Sequence, residues 1–118
     1  MSRAHLVPLE AGTSAWVIPT SSGTVCAIFA ISPRKHFGGC GPADEEGWMV
    51  GGSNRSGRSR LGGVAPDGAT QVSILMADGR THTVSVRSNV FMATGSTEMV
   101  QATVLRRDGS TVASRDLR

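Results

Sequence analysis

A chain of 118 residues is long enough to bury a substantial core and short enough to read as a single domain, residues 1–118. A net charge of +3 is only a mild basic bias, compatible with weak anion affinity. No segment shows a sustained helical stripe, and no apolar run approaches the ~20 residues of a membrane-spanning helix.

Met1–Glu10 has no leader-like apolar stretch, and Met1–Gly12 is read as an entry segment with Leu6, Val7 and Leu9 laid against the core. Ser14–Pro19 (SAWVIP) reads as a short strand that Pro19 ends or marks as an edge. Ser21-Ser22-Gly23 is a turn. Thr24–Ile31 (TVCAIFAI) is almost continuously apolar, the pattern of a central strand covered on both faces. Trp16 and Phe29 are the expected large anchors of this half of the core. Ser32–Glu46 (SPRKHFGGCGPADEE) reads as a glycine- and proline-punctuated loop, with one helical turn over Ala43–Glu46. Such a loop is long for a structureless connection. Gly47–Gly52 is a short strand with Trp48 and Val50 on one face, and Ser53–Arg60 a polar connection. Leu61–Val64 resumes a strand, and Pro66-Asp67-Gly68 carries a type I turn pattern.

The segment Ala69–Val86 predicts a hairpin to its register. Val72, Ile74 and Met76 alternate with Gln71, Ser73 and Leu75, and Val84 and Val86 alternate with Thr83 and Ser85. A two-residue loop at Asp78-Gly79 would pair Ile74 with Thr83 and mix the faces. A three-residue loop, Ala77-Asp78-Gly79, sets Val72 opposite Val84 and Ile74 opposite His82, and keeps one face apolar. It also puts Gly79 where a type I turn with a G1 bulge requires positive φ. After Arg87-Ser88-Asn89, either a turn or a bulge, Val90–Thr94 is another apolar strand. The same loop logic in Val100–Leu117 selects Arg107-Asp108-Gly109 and sets Val104 opposite Val112. About eight or nine short strands with evenly placed turns predict an all-β chain. Its form is an antiparallel β-sandwich, Ig-like or a related Greek key, or else a small barrel.

From Gly62 the pattern GGVAPDGATQVSILMADGRTHTVSVRSNVF, a variable link and then VQATVLRRDGSTVASRDL resembles a class of small β-sandwich modules. These occur in uncharacterised secreted or membrane-tethered proteins of high-GC Gram-positive bacteria. They carry an upstream strand with a Cys and a later Gly-Cys, as in TVCAIFA and GGC here. The resemblance implies a bacterial extracytoplasmic domain and brings no catalytic residue with it.

Cys26 and Cys40 enclose a loop of about 15 residues, and a bridge between them would stabilise by about 3 kcal/mol. A disulfide implies an oxidising compartment, secreted or the ectodomain of a membrane-tethered protein; two free thiols would imply the cytosol. Other chemistry is poorly supported. A zinc site needs four ligands, and Cys26, His36 and Cys40 lack a fourth at a standard spacing. A nucleophilic Cys26 served by His36 would lie in an apolar strand, which raises a thiol's pKa. GGSNRSGRSRLGG lacks the ending of a phosphate loop. Asn54-Arg55-Ser56 fits a glycosylation pattern that matters only in a eukaryotic secretory context. The candidate contact residues are therefore Arg55, Arg58 and Arg60, with Phe37 as the one aromatic outside a strand pattern. No metal or cofactor is expected. Three readings follow, in order of preference. The first is a non-enzymatic extracytoplasmic interaction or structural module for a protein or cell-surface partner. The second is a basic β-barrel binding nucleic acid or another polyanion, although nucleic acid is the less favoured of these because Tyr is absent and few aromatics are free to stack. The third is a small hydrolytic or metal-dependent Cys/His enzyme.

Overall fold

The computed structural model describes residues 4–9, 12–20, 23–32, 34–44, 46–53 and 58–117. Among them are eleven strands and no α-helix. They are β1 (His5–Pro8), β2 (Ser14–Pro19), β3 (Thr24–Ser32), β4 (Lys35–Pro42), β5 (Trp48–Ser53) and β6 (Ser59–Val64). The rest are β7 (Ala69–Met76), β8 (Thr81–Ser85), β9 (Val90–Gly95), β10 (Met99–Arg106) and β11 (Thr111–Asp116). They form three open antiparallel sheets, ordered β1-β2-β3-β4, β5-β6-β9 and β11-β10-β7-β8. No sheet closes on itself, so the small-barrel alternative is not formed.

Two cores make this a three-layer stack. Val7, Ala15, Val17, Ala27 and Phe29 of the first sheet pack against Trp48 and Val90 of the middle sheet. Leu61, Phe91 and Ala93 of the middle sheet pack against Val72, Ile74, Met76, Ala102 and Val104 of the third. Alternate residues of β9 thus serve opposite cores, which is why VFMAT reads as an unbroken apolar run. The β5–β6 hairpin begins in the middle sheet, and β7–β8 crosses to the third. Then β9 returns beside β6, and β10–β11 crosses again to lie beside β7. This interlocked order is that of a Greek-key β-sandwich, with the β1–β4 meander laid over its outer face.

The β7–β8 register is the one the alternation predicts: Val72 faces Val84 and Ile74 faces His82. Met76 and Arg80 close the loop, and Gly79 sits at φ 87°. His82, opposite Ile74, is exposed. In the β10–β11 hairpin the loop is also as expected, closed by Arg106 and Ser110. Beyond it a bulge lies between Val104 and Leu105, so Leu105 faces Thr111 while Val104 faces Ala113 instead of Val112. β11 is an edge strand pinned on one side only, and the bulge lets Val112 and Leu117 pack on the core. Arg115 then reaches Glu46 at 3.2 Å.

Several other expectations are corrected. Eleven strands replace eight or nine because β1 and β4 are strands where the sequence predicts an entry segment and a loop. β4 forms because its glycines fit close to β3 and Trp48, and because Phe29 pairs with Phe37 and Cys26 with Cys40. Trp16 is 48% exposed, since Ala15 and Val17 take the inward parity of β2. β3 is covered on one face, not both: Phe29 is buried and Ile28 is 42% exposed. Of the helical turn expected over Ala43–Glu46, Glu45 lies outside the described residues; the Asp44 Oδ1 accepts from the amides of Glu46 and Gly47. Pro66 opens the turn that Ala69 closes, with Gly68 third at φ 89°, a type II arrangement rather than type I. Arg87-Ser88-Asn89 is a tight turn: Ser88 and Asn89 have φ 48° and 69°, and Arg87 and Val90 exchange backbone hydrogen bonds.

Candidate cationic cleft

Where the first and middle sheets separate at one end, a cleft of about 720 Å³ opens between β4 and the β5-β6-β9 sheet. Its volume falls within the ~300–1,000 Å³ of small-ligand sites. Strand parity builds it. Arg60 lies two residues before Gly62, on the face of β6 that meets Phe29, so it points into the space between the sheets. Phe37 points in from β4, directly opposite Phe29 in the β3–β4 register.

These side chains stack. The Phe29 and Phe37 centroids are 5.1 Å apart with planes 24° from parallel. The Arg60 guanidinium carbon stands 5.2 Å from the centre of the Phe37 ring, a cation–π distance. Phe29 is fully buried and Phe37 half-buried, so the stack runs from the core to the cleft wall. Lys35 and Arg58 bring further positive charge to the rim, with Thr94 and Ser96 facing them from β9 and its following turn. Among the described lining residues there is no carboxylate. Ser59, also in the wall, is buried and donates its hydroxyl to the Thr97 carbonyl.

On the other side of the β5–β6 ridge a smaller opening of about 480 Å³ carries Glu98 and Asp116 beside Met49, Leu61 and Met99. Arg60 and Val50 line both spaces, so the ridge divides a cation-rich cleft from an acid-bearing one.

Three of the four residues singled out from the sequence, Phe37, Arg58 and Arg60, therefore meet in one place. Arg55 and the Asn54-Arg55-Ser56 pattern lie outside the described residues. Sequence reasoning missed Lys35, because Lys35 and Phe37 share a face only if their segment is a strand. It also missed the β9 hydroxyls, which nothing local ties to the arginines. Cys26 and Cys40 are joined as a disulfide, which leaves the Cys/His alternative without a thiolate nucleophile or ligand. His36 is exposed on β4 beyond the cleft, and among the described residues no three His, Cys, Asp or Glu groups converge as metal ligands. No described helix is long and apolar enough to cross a membrane. Comparison with protein-family models, with curated proteins and with solved structures finds no match to this chain.

Proposed function

We propose that this chain is a non-enzymatic, extracytoplasmic interaction module that grips an anionic partner in the cleft between its first and middle sheets. The observation that carries this reading is the Arg60–Phe37 stack, flanked by Lys35 and Arg58, in a wall whose described residues include no carboxylate. A guanidinium held against a ring loses less side-chain freedom on binding than a free one, and its edge still offers a fork of donors. Rigid sheets with binding groups at their ends are a common way to present such a site. The Cys26–Cys40 disulfide supports an oxidising, extracytoplasmic location.

A sulfated or carboxylated cell-surface polymer fits better than nucleic acid. Single-strand readers expose aromatic faces beside their cations. Here Phe37 is engaged by Arg60 and Phe29, and exposed Trp16 lies on the outer face of the first sheet, away from the cleft. Retention on heparin at ~150 mM salt, compared with retention on immobilised single-stranded DNA, tests this. The expected result is salt-sensitive retention on heparin, weaker on DNA, lost when Lys35, Arg58 and Arg60 are all changed to Ala. A wild-type chain that flows through heparin at that salt refutes the reading.

A further inference from the structure

The face of the first sheet that points away from both cores is the most apolar exposed face among the described residues. Among the described residues, five large hydrophobics are exposed, and four of them, Leu6, Trp16, Ile18 and Ile28, lie on this face. They are not scattered. Leu6 pairs with Trp16, Trp16 with Ile28 and Ile28 with Gly38, one row running across all four strands. The next row holds Ile18, Cys26 and Cys40, so the disulfide extends the apolar strip. The row on the other side, Pro8, Ser14, Ala30 and His36, contributes the only titratable side chain of these three rows. A continuous neutral strip of this kind on a small domain marks a contact site.

We infer that this face is the interface of a reversible two-fold dimer, formed with a second copy of the chain. This site is separate from the cleft and does not depend on its reading. Two arguments select the occupant. The first is self-complementarity. A two-fold axis parallel to the strands, between β2 and β3, lays β1 of one copy over β4 of the other and β2 over β3. Leu6 then stands over the bare Gly38, Trp16 over Ile28 and Ile18 over Cys26, each contact made twice. Copies of a net +3 chain approach through a region that brings no fixed charge to the contact, so no ion is desolvated.

The second argument is area. Four strands at ~4.8 Å spacing and six residues at ~3.3 Å rise give a footprint of roughly 400 Å². That is about half of the ~800 Å² per partner in a standard stable interface, the size of a weak, transient contact. An association of this size is concentration-dependent rather than permanent.

Sedimentation velocity from ~5 µM to ~1 mM tests the dimer, a range that brackets a micromolar to submillimolar dissociation constant. The wild type is expected to shift from monomer to dimer across it. W16E and I28K, both at exposed positions, are each expected to weaken self-association at least ~10-fold, since truncating or charging a central contact dominates an interface. Thermal melts, followed alongside, check that both remain folded. The equimolar mixture is the sharper arm. The axis places position 16 of one copy over position 28 of the other, so mixing the two variants pairs carboxylate with ammonium and restores the dimer. A wild type that stays monomeric at the highest concentration overturns the inference, as do variants that dimerise like the wild type or a mixture that fails to associate. So does a blue shift of tryptophan emission on phosphatidylcholine vesicles by a chain that remains monomeric, which would assign the face to lipid.

Discussion

Phe29 of β3 lies against Gly62 of β6 so closely that a Cβ on Gly62 would stand 2.7 Å from the ring. The missing side chain is what lets the first sheet settle on the middle one. Gly62→Val is therefore expected to destabilise the fold by about 1–3 kcal/mol, the usual cost of overpacking a well-filled core. Urea unfolding reads this directly. Phe29→Leu added to Gly62→Val should recover part of the loss, because the two sites share one volume. A double variant no more stable than the sum of the singles would show that the clash is not with Phe29.

At Gly79 the cost of substitution is purely conformational. Its φ is 87°, and nothing stands within 4 Å of where a Cβ would be. Left-handed backbone costs a β-branched L-residue about 1–2 kcal/mol, and Asn less. Gly79→Val should lower the melting temperature by several degrees and Gly79→Asn by less. Equal losses would mean that the turn rearranges rather than tolerating strain.

The parts of the fold that were legible in the sequence are those decided locally. The β7–β8 register follows from alternation plus one Asp-Gly bend, both within reach of the strand itself, and Val72 opposite Val84 is the outcome. β4 was hidden because Gly38, Gly39 and Gly41 display no alternation; its strand state is imposed by β3 and by Trp48. Trp16 was misplaced because both parities of SAWVIP are apolar. Only the arrival of Phe29 opposite Ala15 sends the smaller residues inward. The cleft was half-readable. Arg58, Arg60 and Phe37 are conspicuous by type, but their meeting depends on two sheets stacking, and no local pattern encodes that.

Asp108 gives a pH dependence of known sign. Hydrogen bonds from the Ser110 hydroxyl and then the Ser110 amide, with Arg106 nearby, hold its carboxyl below its ordinary value of 3.8. The folded state therefore takes up this proton at lower pH than the unfolded chain. The stabilisation is present above ~3.8 and disappears as pH falls through the lower folded value. The side chain is exposed, so the effect is small. The melting-temperature gap between wild type and Asp108→Asn is expected to be widest near pH ~6 and to narrow toward pH ~2. A gap that widens in acid would contradict the assignment.

The disulfide couples stability to the cleft. Cys26 and Cys40 are direct cross-strand partners, with Cα atoms 4.0 Å apart, and they tie a glycine-rich edge strand to β3. Glycine is a poor strand former, so without the bridge the register of β4 rests on the Phe29–Phe37 pair and the glycine contacts with Trp48. The C26S/C40S double variant should lose about 2–5 kcal/mol of stability. Amide exchange should rise first in β4 and leave the β7–β10 pair protected, because the second core does not involve β4. β4 also carries Lys35 and Phe37, so the same variant should elute from heparin at lower salt while still folded. Unchanged elution together with increased β4 exchange would mean that the cations act without the β4 wall. Arg58 and Arg60 alone would then carry the binding.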